Sequence, residues 1–207
     1  MEATTTSDSS RDIDETALLL AARAGDRVAF GDLMRTYQRR AYAIAYSYVG
    51  NREDALELAQ DAFIRAFRAM DRFDTSQAFY PWLYRIVKNL SLNHLKRRQR
   101  RKETSLDAMM EQGFDLRDTQ ACPESALHRA DMRQQMLRAL EMLPPEQQEI
   151  LRLRHFLELR YREIAACLEI PQGTVMSRLY NARKALRAAL ELLECGEALE
   201  DTSAGDE

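Results

Sequence analysis

The sequence is poor in residues that interrupt helices. Only seven of its 207 residues are glycine and five are proline, and β-branched residues dominate no segment of the chain. Ala, Leu, Arg, Glu, Gln and Met, which favour helices, fill most of the sequence instead. This composition predicts an all-α protein.

Three other absences narrow the class of protein. No apolar run approaches the roughly 20 residues needed to cross a bilayer, and the first residues have neither the basic start nor the apolar stretch of a secretory signal. We therefore expect a cytoplasmic protein without membrane insertion. The three cysteines, Cys122, Cys167 and Cys195, have no paired spacing, and we find no nucleophile beside a base and no glycine-rich phosphate loop. The sequence thus predicts no metal, no cofactor and no enzymatic activity, and Cys167 is expected to be a small buried hydrophobic residue.

The order of segments predicts two small helical domains. Helical periodicity extends over residues 15–102 and again over 131–190. Residues 103–130 show no sustained period, and a loop of this length is unusual inside one compact domain, so we interpret them as a flexible linker. The Ser/Thr/Asp-rich residues 1–14 are expected to be disordered. Residues 191–207 hold seven acidic and no basic residues; we expect a solvated tail, with a cover for a basic surface as the alternative.

One segment, Phe79–Lys102, combines aromatic residues with eight lysines and arginines, although the chain has a net charge of -3. Its sequence is FYPWLYRIVKNLSLNHLKRRQRRK. On a helix, Leu83, Ile86, Val87 and Leu90 share a face that can reach a core. A second stripe contains Trp82, Arg85, Asn89, Asn93, Lys96 and Arg100. Aromatic rings stack on bases and cations neutralise phosphates, so this segment predicts contact with nucleic acid; a core helix with a solvated basic end remains the alternative.

A second segment has the pattern of a helix-turn-helix, YREIAACLEIPQGTVMSRLYNARKAL. Ile164, Leu168, Val175 and Leu179 have the spacing of two short helices that pack across a tight turn. The second helix has a basic polar face, and no acidic residue lies between Gln172 and Leu190. A helix of this kind can place its N-terminal side chains against bases in a major groove. Many proteins that bind no DNA also contain two such helices, but the charge pattern favours DNA binding.

Together these segments resemble a bacterial RNA polymerase sigma factor of the sigma-70 family, of the extracytoplasmic-function type. The resemblance covers residues 15–102, as region 2, and 131–190, as region 4. In region 2, AARAGDRVAFGDLMRTY resembles its start, ALELAQDAFIRAFRAMDRFD the polymerase-binding helix and FYPWLYRIVKNLSLNHLKRRQRR the promoter-melting segment. In region 4, LEMLPPEQQEILRLRHF resembles its opening and YREIAACLEIPQGTVMSRLYNARKAL its helix-turn-helix. Each motif alone is loose, but their shared order is specific.

The resemblance implies a function and partners. Such a protein binds core RNA polymerase through its β′ and β subunits, directs it to the −10 and −35 elements of promoter DNA and helps to melt the duplex. An anti-sigma factor is implied as a regulator. The alternative from the residues alone is a helix-turn-helix regulator that acts without polymerase, with an N-terminal dimerisation or sensing module. An adaptor that binds polymerase but not DNA would leave the basic face unexplained.

The resemblance also implies four sets of site residues. The polymerase-binding set is Gln60, Asp61, Phe63, Arg65 and Phe67, with Phe63 and Phe67 as core residues in the alternative. The −10 base pocket contains Phe73, Asp74, Thr75, Ser76, Gln77, Phe79, Trp82, Arg85 and Asn89. The phosphate grip is Lys96, Arg97, Arg100 and Arg101. The −35 set is Thr174, Ser177, Arg178, Arg183 and Lys184.

Three positions depart from the family pattern. Met176 and Asn181 stand where many members carry Arg or Lys, so some phosphate or base contacts are expected to be missing. Glu169 occupies a turn position often taken by Gly or Asn. We expect Glu169 to adopt the left-handed backbone conformation at a cost of about 1 kcal/mol.

Overall fold

The computed structural model describes the backbone of residues 6–104, 132 and 135–203. It divides into two compact units, Met1–Asp115 and Leu116–Glu207. All regular secondary structure in the described residues is helical, which confirms the all-α prediction. The boundary falls within the predicted linker 103–130, most of which lies outside the described residues. Among the described helices, none is both long and apolar enough to cross a membrane.

The first unit is built from four helices. They are α1 (Thr6–Arg23), α2 (Arg27–Val49), α3 (Arg52–Arg68) and α4 (Phe79–Thr104), with a short 3-10 helix at Met70–Arg72. Helix α2 packs against the other three, and α4 also packs against α3. The core lies between them and is apolar, with α2 contributing Leu33 and Ile44 and α4 contributing Leu83 and Val87, all nearly inaccessible to solvent. A compact bundle therefore supports the exposed face of α4.

Side-chain caps define where α2 and α3 begin. Oδ1 of Asp26 accepts hydrogen bonds from the backbone N–H groups of Val28 and Ala29, at 2.8 and 3.2 Å. Oδ1 of Asn51 does the same for the first turn of α3. Gly50, which ends α2, has a φ of 67°, a left-handed conformation that glycine adopts without strain. The breaks at Gly25-Asp26 and Gly50-Asn51 therefore separate α1 from α2 and α2 from α3, and the short turns keep consecutive helices adjacent.

Two helices extend further than the sequence predicts. Helix α1 begins at Thr6, so residues 6–14 are helical where we predicted disorder. Helix α8 (Gln172–Ser203) continues through most of the predicted acidic tail, 191–207. Helix propagation is easier than nucleation, so an established helix can continue into Ser/Asp-rich or Glu-rich sequence. Residues 1–5 and 204–207 lie outside the described residues.

The second unit contains α5 (135–141), α6 (Pro145–Leu151), α7 (Tyr161–Leu168) and α8. A π-helical segment, Arg152–Phe156, continues α6. Helix α8 packs against both α6 and α7. This arrangement contains the predicted helix-turn-helix in α7 and α8.

The core of the helix-turn-helix follows the predicted spacing. Ile164, Val175 and Leu179 are buried, and Leu168 is half-buried. Cys167 is buried, as predicted. At the turn, Glu169 has φ 53° and ψ 43°, so the expected left-handed conformation is confirmed. The turn thereby fixes the direction in which α8 leaves α7.

Candidate functional site

Three aromatic rings meet where the loop before α4 joins that helix. The ring centroids of Phe73 and Trp82 are 4.7 Å apart, those of Phe79 and Trp82 5.6 Å, and those of Phe73 and Phe79 6.0 Å. Phe73 and Phe79 are 4% and 0% exposed, whereas Trp82 is half-buried. The two phenylalanines therefore form a support behind the indole, and Trp82 offers the open surface.

The loop beside these rings is held by one carboxylate. Oδ1 of Asp74 accepts a hydrogen bond from the hydroxyl of Ser76 at 2.8 Å and from its backbone N–H at 3.0 Å. Both bonds lower the pKa of Asp74 because they stabilise its charged form, and the bond from the hydroxyl has the larger effect. Asp74, Ser76 and Gln77 are exposed and Thr75 is half-buried. The loop is thus a preformed turn that presents polar atoms next to Trp82.

An exposed stripe continues from Trp82 along α4. Arg85 and Asn89 are exposed, and the Arg85 guanidinium Nε lies 3.4 Å from the carbonyl oxygen of Pro81. At 1.5 Å per residue, Asn89 lies about 15 Å further along the helix axis than Phe79. The structure therefore brings together the aromatic rings and the loop of the predicted base pocket, whereas Asn89 lies further along the same exposed stripe as Trp82.

The far end of α4 is basic and open to solvent. Lys96, Arg97, Arg100 and Arg101 are all exposed, so the four predicted phosphate-binding side chains are accessible. Their four-residue spacing gives two adjacent rows, Lys96 with Arg100 and Arg97 with Arg101. Nearer the start of the helix, Leu83, Val87 and Leu90 are buried. Both interpretations of this segment from sequence thus describe one helix, each for a different part of it.

A groove of about 670 Å³ runs between α2 and α3. Its lining is mostly apolar, and it consists of Phe30, Met34, Gln38, Arg39, Tyr42, Leu56, Ala59, Gln60, Phe63, Ile64, Phe67 and Arg68. Of the predicted polymerase-binding residues, Gln60, Phe63 and Phe67 line this groove. Asp61 and Arg65 are exposed on α3 but are not part of the lining.

The two phenylalanines of α3 separate the alternatives left open by the sequence. Phe63 is 6% exposed and belongs to the core, although it also contributes to the lining of the groove. Phe67 is 40% exposed, and its ring lies 5.0 Å from that of Phe30. Phe67 is therefore a surface residue of the groove.

Sequence reasoning missed three apolar residues of the groove. Met34, Leu56 and Ile64 are 41%, 45% and 50% exposed. The core stripe instead uses Ala55 and Leu58. The signal was a second apolar row, because Leu56 and Ile64 are two turns apart on a face that the core does not use.

The predicted −35 residues do not form one surface on α8. Thr174, Ser177 and Arg178 lie on one side, with the Ser177 hydroxyl donating to the backbone oxygen of Thr174 at 3.0 Å. Lys184 is two turns beyond Ser177. Arg183 is about 140° around the helix from Arg178, given 3.6 residues per turn, and so lies on the other flank. Thr174 is half-buried and the other four are exposed.

Each flanking arginine has a neighbour on another element. Nη1 of Arg178 lies 3.8 Å from Oε2 of Glu146 on α6. Nε of Arg183 donates to Nε2 of His155 at 3.4 Å. The pKa of His155 is lowered, mainly by burial and then by Arg183 and Arg154, so the neutral imidazole is favoured as an acceptor. The π-helical segment thus orients one of the predicted DNA-binding arginines.

Within the part of the chain that the structure describes, no three His, Cys, Asp or Glu side chains come close enough to hold a metal ion.

Each of the two units matches a known protein family. The Sigma-70 region 2 family matches residues 33–101, and the Sigma-70, region 4 family matches residues 133–186. The RNA polymerase sigma-H factor of Pseudomonas aeruginosa is 36% identical over 181 residues, which span 85% of this chain and 93% of that protein. The ECF RNA polymerase sigma-E factor of Escherichia coli K12 is 35% identical over 182 residues, which span 86% and 94%.

Solved structures show the same fold. CnrH, in complex with the cytosolic domain of CnrY, has a TM-score of 0.58 at 23% identity, covering 86% of this chain and 98% of that one. RpoE of Bartonella quintana, in complex with the anti-sigma factor NepR, has a TM-score of 0.55 at 23% identity, covering 78% and 96%. A helix-turn-helix regulator that acts without polymerase is not favoured by these relatives. The chain belongs to the sigma-70 family of RNA polymerase sigma factors, in its extracytoplasmic-function group, and is a transcription initiation factor.

Proposed function

We propose that this sigma factor divides its work among three surfaces: the groove between α2 and α3 binds core polymerase, α4 with its preceding loop opens the −10 element, and α8 binds the −35 element. The observation that carries the proposal is the exposed stripe of α4, which begins at Trp82, ends at Arg100 and contains no carboxylate. The chain performs no chemistry of its own in this scheme. It supplies binding energy that favours an open promoter.

Capture of an unpaired base is assigned to Trp82 and the loop. Extracting a base costs a few kcal/mol, and stacking on an aromatic ring returns about 1–3 kcal/mol. Phe73 and Phe79 hold the indole from behind, so stacking requires little rearrangement of Trp82. Ser76 and Gln77 are exposed in the loop that precedes α4. Their polar groups can therefore contact the edge of the captured base.

The basic end of α4 holds the strand whose base has been captured. Trp82 and Arg100 are 18 residues apart in α4, a separation of about 27 Å along the axis. At about 3.4 Å per nucleotide, this distance matches roughly eight nucleotides of one strand. Lys96, Arg97 and Arg101 extend the same contact. Asn89 lies between the two ends, where it can meet a base or a sugar of the same strand.

The groove suits an amphipathic helical partner. Its exposed apolar side chains can bury the apolar face of such a helix, and Met34 can adapt to its shape. The exposed arginines of the lining, Arg39 and Arg68, favour acidic residues at the rim of that partner. We assign this surface to core polymerase, with Asp61 and Arg65 as contacts beside the groove.

A regulator that covers the same apolar surface would keep the protein inactive. Structural neighbours of this chain were solved with CnrY and with the anti-sigma factor NepR. We therefore propose an anti-sigma factor as a second partner, in competition with polymerase.

Transcription from a promoter template with purified core polymerase tests the proposal. We expect promoter-specific transcripts that core polymerase alone does not make. Ile64→Glu should weaken binding to core polymerase, because it places a carboxylate in the apolar groove. Val28→Glu is the matched control, since Val28 is 72% exposed and does not line the groove. Equal binding by the two variants would exclude the groove as the polymerase site.

The base pocket is tested separately from polymerase binding. Trp82→Ala and Asn89→Ala should impair open-complex formation, measured by permanganate reactivity of unpaired thymines, more than they impair binding to core polymerase. A parallel fall in both quantities would show that the assigned residue acts on the protein interface or on folding. Tight, specific binding to duplex DNA without polymerase, together with no initiation, would contradict the whole scheme.

A further inference from the structure

The exposed surface of α8 is not uniformly basic. Met176 is 61% exposed, Tyr180 is 69% exposed and Asn181 is also exposed. Helical spacing puts Asn181 one turn beyond Ser177, on the side of α8 that also carries Thr174 and Arg178, whereas Met176 and Tyr180 lie about 100–140° away on the other flank. A helix that held DNA only by charge would not need a carboxamide on the side that carries Ser177 and Arg178. The chemistry of this group indicates what the helix recognises.

The Asn181 carboxamide is accessible, and the backbone that carries it is rigidly placed. Its neighbours Leu179 and Ala182 are 1% and 0% exposed, so the backbone that carries Asn181 is fixed against the core of the unit. Across the described residues, its side chain has no hydrogen-bond partner. A carboxamide offers one acceptor and two donors in one plane. An accessible group of this kind can form a pair of hydrogen bonds with a flat ligand edge.

Base chemistry determines which edge fits. Asn forms two hydrogen bonds with N6 and N7 of adenine, whereas Arg pairs with O6 and N7 of guanine. The Asn181 carboxamide therefore favours an A·T pair, and it lacks the charge that would favour guanine or hold a phosphate.

We propose that Asn181 is a specificity-determining residue that reads an adenine in the major groove of the −35 element. The inference rests on the proposed role of α8 in binding the −35 element. Arg178 and Lys184 supply the phosphate contacts that position the helix. The sequence selected at −35 then contains an A·T pair at the point that faces Asn181.

The test is a selection among promoters whose −35 element is randomised and whose −10 element is constant, with full-length protein and core polymerase. The wild-type protein should enrich adenine at one −35 position. Asn181→Ala should reduce that preference by at least about fivefold, since a good bidentate contact corresponds to a five- to 150-fold discrimination. Asn181→Arg should change the preference at the same position from adenine to guanine. Met176→Ala, on the other flank of α8, should leave the preference at this position unchanged.

Met142→Arg serves as the charge control, because Met142 is 54% exposed and lies outside α8; it should leave base preferences unchanged. If both Asn181 variants keep the wild-type preference, Asn181 does not read a base and the inference is wrong. Guanine at every selected position in the wild type would also contradict it. If the wild type shows no −35 preference at all but still initiates, the proposed role of α8 fails, which is a different outcome.

Discussion

The ring of Phe73 packs against the indole of Trp82, with 4.7 Å between the ring centroids. Phe73 ends the chain segment before the loop, and Trp82 lies in the first turn of α4, so this contact ties the two ends of the loop together. Because Phe73 is buried and Trp82 is half-buried, Phe73 anchors Trp82. The orientation of the proposed stacking surface therefore depends on core packing.

Removal of this anchor should affect both stability and base capture. We expect Phe73→Ala to lower the unfolding free energy of the first unit by about 3–5 kcal/mol, the usual cost of truncating a buried phenylalanine. Phe73→Leu keeps most of the volume and should cost less. Trp82 is the only tryptophan in the chain, so its fluorescence reports urea unfolding directly. Equal effects of the two substitutions would show that the ring contact itself contributes little.

The Asp74–Ser76 turn makes a prediction about titration. NMR titration of the Asp74 carboxyl group should give a pKa below 3.8, the ordinary value. Its folded pKa is depressed, so the turn is fully held above pH 3.8 and loosens only as the pH falls through the folded pKa. Ser76→Ala should raise the pKa towards 3.8 by removing the hydroxyl bond. Ser76→Thr, which keeps a hydroxyl, should preserve the depressed value; a raised value there would assign the shift to another cause.

The basic rows of α4 predict the salt dependence of DNA binding by the polymerase complex. The double variant Lys96→Gln, Arg100→Gln removes two cations, and each phosphate contact contributes about 0.9 to the slope of log K against log salt concentration on B-DNA. We expect the slope to decrease by up to about 1.8, measured by filter binding or fluorescence anisotropy. Arg35→Gln is the control, because Arg35 pairs with Asp32 on α2. A similar change in slope with Arg35→Gln would show that the slope depends on the overall charge of the protein and not on phosphate contacts of Lys96 and Arg100.

The helices and their core faces follow from sequence because they depend on local periodicity. The spacing of Leu83, Val87 and Leu90 predicts the buried side of α4, and Asp26 and Asn51 mark helix starts by chemistry that needs no tertiary information. The groove could not be predicted in the same way. Whether Phe67 or Leu56 faces the core depends on how α2 is placed against α3, and short apolar residues such as Ala55 can fill the space instead.

The site residues also divide into those that a local sequence pattern predicts and those that depend on packing between elements. Exposure of Lys96 and Arg100 follows from the unbroken polar stripe, so their accessibility could be predicted. The separation of Arg183 from Arg178 follows from helical geometry alone and could also be predicted. The contact between Arg183 and His155 depends on the π-helical segment, which no local pattern in the sequence indicates.

His155 predicts a pH dependence for the stability of the second unit. Its pKa is lowered from 6.5 in the folded state, so the unfolded chain binds more protons below pH 6.5. The unfolding free energy should therefore increase as the pH rises towards 6.5. Above pH 6.5, His155 should no longer change the unfolding free energy. The NMR signals of the His155 imidazole give its pKa. Denaturant unfolding, followed by the NMR signals of Leu179, gives the unfolding free energy of the second unit.

His155→Gln should flatten this part of the pH profile, since glutamine can still accept from Arg183 but cannot take up a proton. The change should be absent from the unfolding of the first unit, which Trp82 reports. A profile that keeps its slope in the variant would assign the pH dependence to another group.

Glu169 makes the last prediction, because it holds a left-handed conformation, with φ of 53°, at the turn between α7 and α8. A residue with a Cβ atom pays about 1 kcal/mol for this conformation, and glycine does not. Glu169→Gly should therefore raise the unfolding free energy of the second unit, by less than about 1 kcal/mol because glycine also gains entropy in the unfolded chain. Glu169→Asn should have a smaller effect of the same sign, and Glu169→Val should be destabilising. Denaturant unfolding of the three variants measures these differences, and a less stable glycine variant would show that contacts of the Glu169 side chain outweigh its backbone strain.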